Sequence, residues 1–102
     1  MTPPNTPILL FFANARSGPA RRMESLLAHL ARKERERLRI WRIDADQQKD
    51  WVERFNVSDV PTLVLVKDRK TLARLEGRTS APQIERMLEP YLPERATDTV
   101  IA

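Results

Sequence analysis

The chain has 102 residues and no cysteine. It has room for one domain around one core, and it cannot form a disulfide, a thiolate metal site or a thiol nucleophile. Hydrophobic residues at 41% and charged residues at 31% describe a folded globule, with no apolar run near the ~20 residues of a membrane-crossing helix. The net charge of +4 is unevenly held: residues 16–42 carry nine basic and three acidic side chains, a local +6. Such a stretch is either a solvated helix face or a surface for an acidic partner or nucleic acid. The single histidine, His29, cannot form a His-rich metal site. Residues 1–7 lack a basic segment leading into an apolar one, so no secretory signal is expected and the location is taken as cytoplasmic.

Residues 1–7 hold three prolines and read as a flexible leader. Ile8-Leu9-Leu10-Phe11-Phe12 is an unbroken apolar run, the pattern of a strand buried on both faces. Ser17 serves as N-cap of a helix with Pro19 in its first turn, where a missing N–H is harmless. Met23, Leu26, Leu27 and Leu30 recur at helical spacing and set that helix's inner face, which ends near Glu36. Residues 38–43 form a second strand. Residues 47–55 form a short helix with Trp51, Val52 and Phe55 inward, and residues 56–61 form a loop. Thr62-Leu63-Val64-Leu65-Val66 is another apolar strand, joined by the polar turn Lys67-Asp68-Arg69-Lys70 to an antiparallel partner over 71–76. Ser80-Ala81-Pro82-Gln83 has the form of a capping box opening a last helix, whose inner positions are Ile84, Met87, Leu88 and Tyr91. Pro93 stops it, and 93–102 reads as a disordered tail. The order β-α-β-α-β-β-α predicts an α/β domain over 8–92. It has a four-stranded mixed sheet whose first two strands are parallel through a right-handed crossover.

Three local patterns, in this order and separation, resemble the thioredoxin-like fold family. Phe12 to Met23, with Ser17-Gly18-Pro19-Ala20 at its centre, is similar to the family's strand, Trp-Cys-Gly-Pro-Cys turn and following helix. Phe55-Asn56-Val57-Ser58-Asp59-Val60-Pro61-Thr62-Leu63 is similar to its cis-proline loop. Gly77 matches the glycine after its last strand. The resemblance covers about residues 8–92 and implies a thioredoxin-like fold without the family's extra N-terminal strand and helix. It also implies a cis peptide bond before Pro61.

The departures bear on function. In the resembled family the first cysteine attacks as a thiolate at a helix N-terminus and the second resolves the mixed disulfide. Here those positions are Ser17 and Ala20. The family's buried acid falls on Phe11, and its tryptophan before the first cysteine falls on Arg16. No catalytic residue is therefore expected, and Ser17 and Ala20 are vestigial redox positions. Ser17 has no base within reach to act as a nucleophile, since His29 lies turns away on the same helix. The family's peptide groove implies a binding rim of Arg16, Gly18, Pro19, Val60, Pro61, Thr62, Gly77 and Arg78, with the Val60 main chain pairing to an extended segment. A carboxylate or phosphate of a partner can also sit at the helix start beside Ser17 and Gly18, with charge from Arg16, Arg21 and Arg22.

The basic surface is assigned to Arg21, Arg22, Arg32, Lys33, Arg35 and Arg39. Trp41 and Trp51 read as packing residues, and Asp44 and Asp46 as loop acids. No metal and no cofactor are expected. The leading expectation is a redox-inactive module that binds a protein or extended peptide segment. Two alternatives stand beside it: a thiol–disulfide oxidoreductase whose cysteines at positions 17 and 20 have been replaced, and a nucleic-acid-binding protein using the basic helix. No membrane partner is expected. Homodimer formation through an exposed strand edge carrying Leu72, Ala73 and Leu75 stays open.

Overall fold

The structure, a computed structural model, describes residues 6–16 and 18–93. The expected N-cap at Ser17 and most of the expected tail lie outside the described residues. The elements follow in the order β1 (Ile8–Ala13), α1 (Gly18–Lys33), β2 (Arg39–Asp44), α2 (Lys49–Arg54), β3 (Thr62–Lys67), β4 (Lys70–Glu76) and α3 (Ala81–Leu88). They build one four-stranded sheet in the order β2-β1-β3-β4. β1 and β2 run parallel, and β3 is antiparallel to both β1 and β4. Among the described residues no helix is long and apolar enough to cross a membrane.

The unbroken apolar run of β1 follows from its central place, because both of its faces are covered. Leu9 and Phe11 point into a cluster with Leu63 and Leu65, covered by Met23, Leu27 and Leu30 of α1 and by Ile84 and Leu88 of α3. Leu10, Phe12 and Val64 point the other way, where Trp51, Val52 and Phe55 of α2 and its following turn pack on them. Alternation along each strand thus sorts one sequence into two cores. The two covers are unequal: 16 and 8 helical residues on one face against 6 on the other.

Three details differ from the sequence reading. Helix α1 stops at Lys33, three residues before the expected end. The side chain of Arg37 folds back so that its Nε and Nη2 donate to Glu34 Oε1 at 2.9 and 2.8 Å, while the Leu38 N–H donates to the Glu34 carbonyl. This local ion pair turns the chain into β2. The leader is not free up to Ile8: Thr6 and Pro7 are buried, and the Pro7 carbonyl accepts the Arg39 N–H, extending the β1–β2 ladder by one step. In β4 a register shift opposite Leu65 and Val66 breaks the alternation, so that Leu72 and Ala73 both pack against the α1–α3 cluster. The last helix opens as expected. The Ser80 hydroxyl accepts from the Gln83 N–H and the Gln83 side chain accepts from the Ser80 N–H, a complete capping box.

Candidate functional site

Strand register carries the expected rim residues to one end of the sheet. Phe12 lies opposite Thr62, and Thr62 lies opposite Glu76. The turn after β1, the loop before β3 and the residues after β4 therefore leave the sheet side by side. The Gly77 N–H donates to the Pro61 carbonyl at 2.8 Å, tying the third segment to the second. Gly77 has φ of +78°, in the left-handed region where a side chain is strained, which accounts for glycine at this corner. The Val60–Pro61 peptide is cis.

The eight rim residues do not play equal parts. Arg16, Gly18 and Arg78 are exposed, and Pro19, Val60 and Gly77 are half-buried. Pro61 and Thr62 are buried, and the Thr62 hydroxyl is engaged on the Asp59 carbonyl at 2.6 Å. The Thr62 hydroxyl proton is thus committed to fixing the shape of the loop. Among the described residues neither the N–H nor the carbonyl of Val60 takes a hydrogen-bond partner. A shallow depression of about 240 Å³ opens beside it, lined in part by Asn14, Asp46, Asp59 and Val60. Asn14 Oδ1 is buried there without a hydrogen-bond partner among the described residues. The sequence reading passed over Asn14 and Asp59. Their only signal was position: one follows the central strand directly and the other sits two residues before the proline.

Two of the positions that match the family's redox groups are part of the core. Ala20 is 1% exposed and Phe11 2%, and both belong to the α1–α3 cluster, whereas Arg16 is exposed. Asp44 is a turn former, its Oδ1 accepting the Asp46 N–H at 2.9 Å. His29 is exposed on α1. Trp51 is half-buried as expected, but Trp41 is 42% exposed on the sheet and leans edge-on against Trp51 with ring centroids 6.4 Å apart.

The basic residues do not form one patch. All six of Arg21, Arg22, Arg32, Lys33, Arg35 and Arg39 are exposed. Arg21 and Arg22 stand near the start of α1, whereas Arg32 and Lys33 stand at its end, roughly 15 Å away at 1.5 Å rise per residue. That separation exceeds the ~8 Å screening length at physiological salt, so the two groups act separately. Lys33 reaches Glu85 on α3 at 4.0 Å, and Arg42 donates to Glu24 at 2.7 Å, which neutralises part of the stretch. The group at the start of α1 is the one beside the Val60 end of the sheet.

The thioredoxin family profile matches residues 2–90. The chain is 36% identical over 70 residues to thioredoxin-1 of Drosophila yakuba, a match covering 69% of this chain and 64% of that protein, less than two thirds of the relative's length. It is 27% identical over 86 residues to a thioredoxin-like protein of Synechocystis, covering 84% of this chain and 82% of that one. In three dimensions it superposes on the germline-specific thioredoxin Deadhead of Drosophila melanogaster with a TM-score of 0.80, 29% identity and coverage of 85% of this chain and 82% of the other. The chain belongs to the thioredoxin family and has the thioredoxin fold, without the family's Cys-x-x-Cys motif.

Proposed function

We propose that this chain is a redox-inactive thioredoxin-family module that holds an extended peptide segment across the end of the sheet at Val60. The observation that carries the reading is the free main chain of Val60. Among the described residues its donor and acceptor are unpaired beside a depression, the arrangement by which an extended segment is added to a fold through backbone hydrogen bonds. Serine and alanine at positions 17 and 20 supply neither the attacking nor the resolving sulfur of disulfide exchange, so holding a segment and releasing it requires no covalent step. Asp46 and Asp59 line the depression, so a segment that carries a basic residue at this point complements it.

The test is selection of extended peptides from a displayed random library on the folded protein, followed by titration of the selected peptides. Val60→Asp, checked for folding by its melting curve, is expected to weaken them at least about tenfold. The pair Arg35→Glu and Arg39→Glu is expected to leave them within about twofold. Peptides that survive Val60→Asp and are lost with the arginine reversal place the binding on the basic residues and refute the reading.

A further inference from the structure

The unequal cover of the two sheet faces leaves a second surface, independent of the Val60 end. Because α2 has only six residues, the face carrying Ile8, Leu10 and Val66 is covered at one end and open at the other. The opening is a groove of about 650 Å³ between α2 and the β3–β4 turn, with Trp41 on its floor and Trp51 and Phe55 on its wall. Trp41 is the one large hydrophobic side chain classed as exposed among the described residues. A sheet face of this kind is ordinarily buried beneath a further layer.

Among the described residues the charges that line the groove are all of one sign. They are Arg54, Arg69 and Arg74, with no carboxylate beside them in the lining. Arg74 is committed to the protein, donating to the carbonyls of Phe55 and Asn56. Arg54 lies over the Trp51 ring at 5.8 Å. Arg54 and Arg69 are exposed, and neither has an ion-pair partner among the described residues. A second copy seated here about a two-fold axis would set arginines against arginines. A partner with apolar side chains along one stripe and acidic residues on its flanks meets both the floor and the rim.

We infer that this groove docks an acidic amphipathic helix of a partner protein, its apolar stripe on Trp41, Ile8 and Val66 and its carboxylates on Arg54 and Arg69. The helix would complete the missing layer over the sheet, the helix-in-groove mode of recognition.

The chain has two tryptophans and both line the groove, so their fluorescence reports this surface directly. The probe is a synthetic helical peptide of about 15 residues with leucines at i, i+3, i+4 and i+7 and flanking glutamates. A second peptide keeps the leucines and replaces each glutamate by lysine. The glutamate peptide is expected to shift tryptophan emission to shorter wavelength and to bind at least about tenfold more tightly than the lysine peptide. The double variant Arg54→Glu and Arg69→Glu is expected to reverse that order, and Arg35→Glu, away from the groove, to keep it.

Equal binding of the two peptides, absence of binding by either at roughly millimolar concentration, or indifference to the double variant would each overturn the inference. So would an emission shift that grows with protein concentration alone alongside a doubled mass in light scattering, which assigns the groove to a second copy. A shift produced by decanoate and by neither peptide assigns it to a free amphipathic carboxylate and equally rejects a helix.

Discussion

Replacing Arg74 by alanine should loosen α2 and the loop that leads to Val60, because one guanidinium holds the end of that helix. Its Nη1 donates to the Phe55 carbonyl at 3.0 Å and its Nη2 to the Asn56 carbonyl at 3.2 Å. Both carbonyls lie just past the last helical residue, Arg54, where backbone acceptors lose their intrahelical partners. The Nε is buried without a hydrogen bond; Glu76 Oε1 lies 3.4 Å away as an ion-pair contact. A hydrogen bond from a charged donor contributes about 1.5–3 kcal/mol, but the Arg74 side chain is 32% exposed and both bonds share one group. A total loss of about 2 kcal/mol is therefore expected, or roughly 8–16 °C in melting temperature for a domain of this size. Arg74→Lys should recover less than half of it, since a single ammonium cannot span two carbonyls as a planar fork does. Urea unfolding gives the total. Amide exchange at Val57, whose N–H donates to Val52 at 2.9 Å, shows whether the loss falls on the loop. A change below about 0.5 kcal/mol, or unaltered protection at Val57, would refute the assignment of Arg74 as the clamp of α2.

Other substitutions test other joints of the fold. Ser80→Ala removes one half of the capping box and should lower stability by about 1 kcal/mol in urea unfolding. Arg69 has φ of +68° and follows Asp68 at +51°, the signs required at the two central residues of a tight hairpin turn. Arg69→Gly should therefore raise stability by about 1 kcal/mol while weakening the acidic peptide at the apolar groove, an opposed pair of effects that a simple packing role would not give. Phe11→Asp places a carboxyl where Phe11 is 2% exposed; the lost ring volume alone costs about 3–5 kcal/mol, and circular dichroism at 37 °C should show a largely unfolded chain.

The fold was legible in the sequence because its signals were local and repeated. The apolar runs of β1 and β3, the periodic Met23, Leu27 and Leu30, and the Ser80–Gln83 box each name an element without reference to the others. What was not legible depended on side chains meeting across the sheet. The early stop of α1 comes from Arg37 folding back on Glu34, which a charge pattern dense in arginine does not single out. The exposure of Trp41 follows from β2 being an edge strand beside a short helix, a fact of layer geometry. That the Thr62 hydroxyl donates to the Asp59 carbonyl depends on the path of the loop, which its neighbour Pro61 alone does not reveal. The basic stretch looked continuous because sequence distance hides the length of a helix: α1 alone separates Arg22 from Arg32.

Phe11 and Ala20 show how the rest of the molecule accommodates a chain without thiols. The family resemblance sets an acid at the first position and the resolving cysteine at the second, both near the helix start where charge and reactivity are needed. Here both positions have joined the same apolar cluster as Leu9, Met23 and Leu63. Fully burying a phenylalanine contributes about 1.5–3 kcal/mol, whereas an ionised carboxylate in the same place destabilises unless it is paired. The substitutions therefore turn groups suited to proton and electron transfer into packing that fixes β1 against α1. β1 and α1 flank the turn that carries Arg16. Packing of Phe11 and Ala20 in one cluster therefore holds the two elements on either side of that turn against each other.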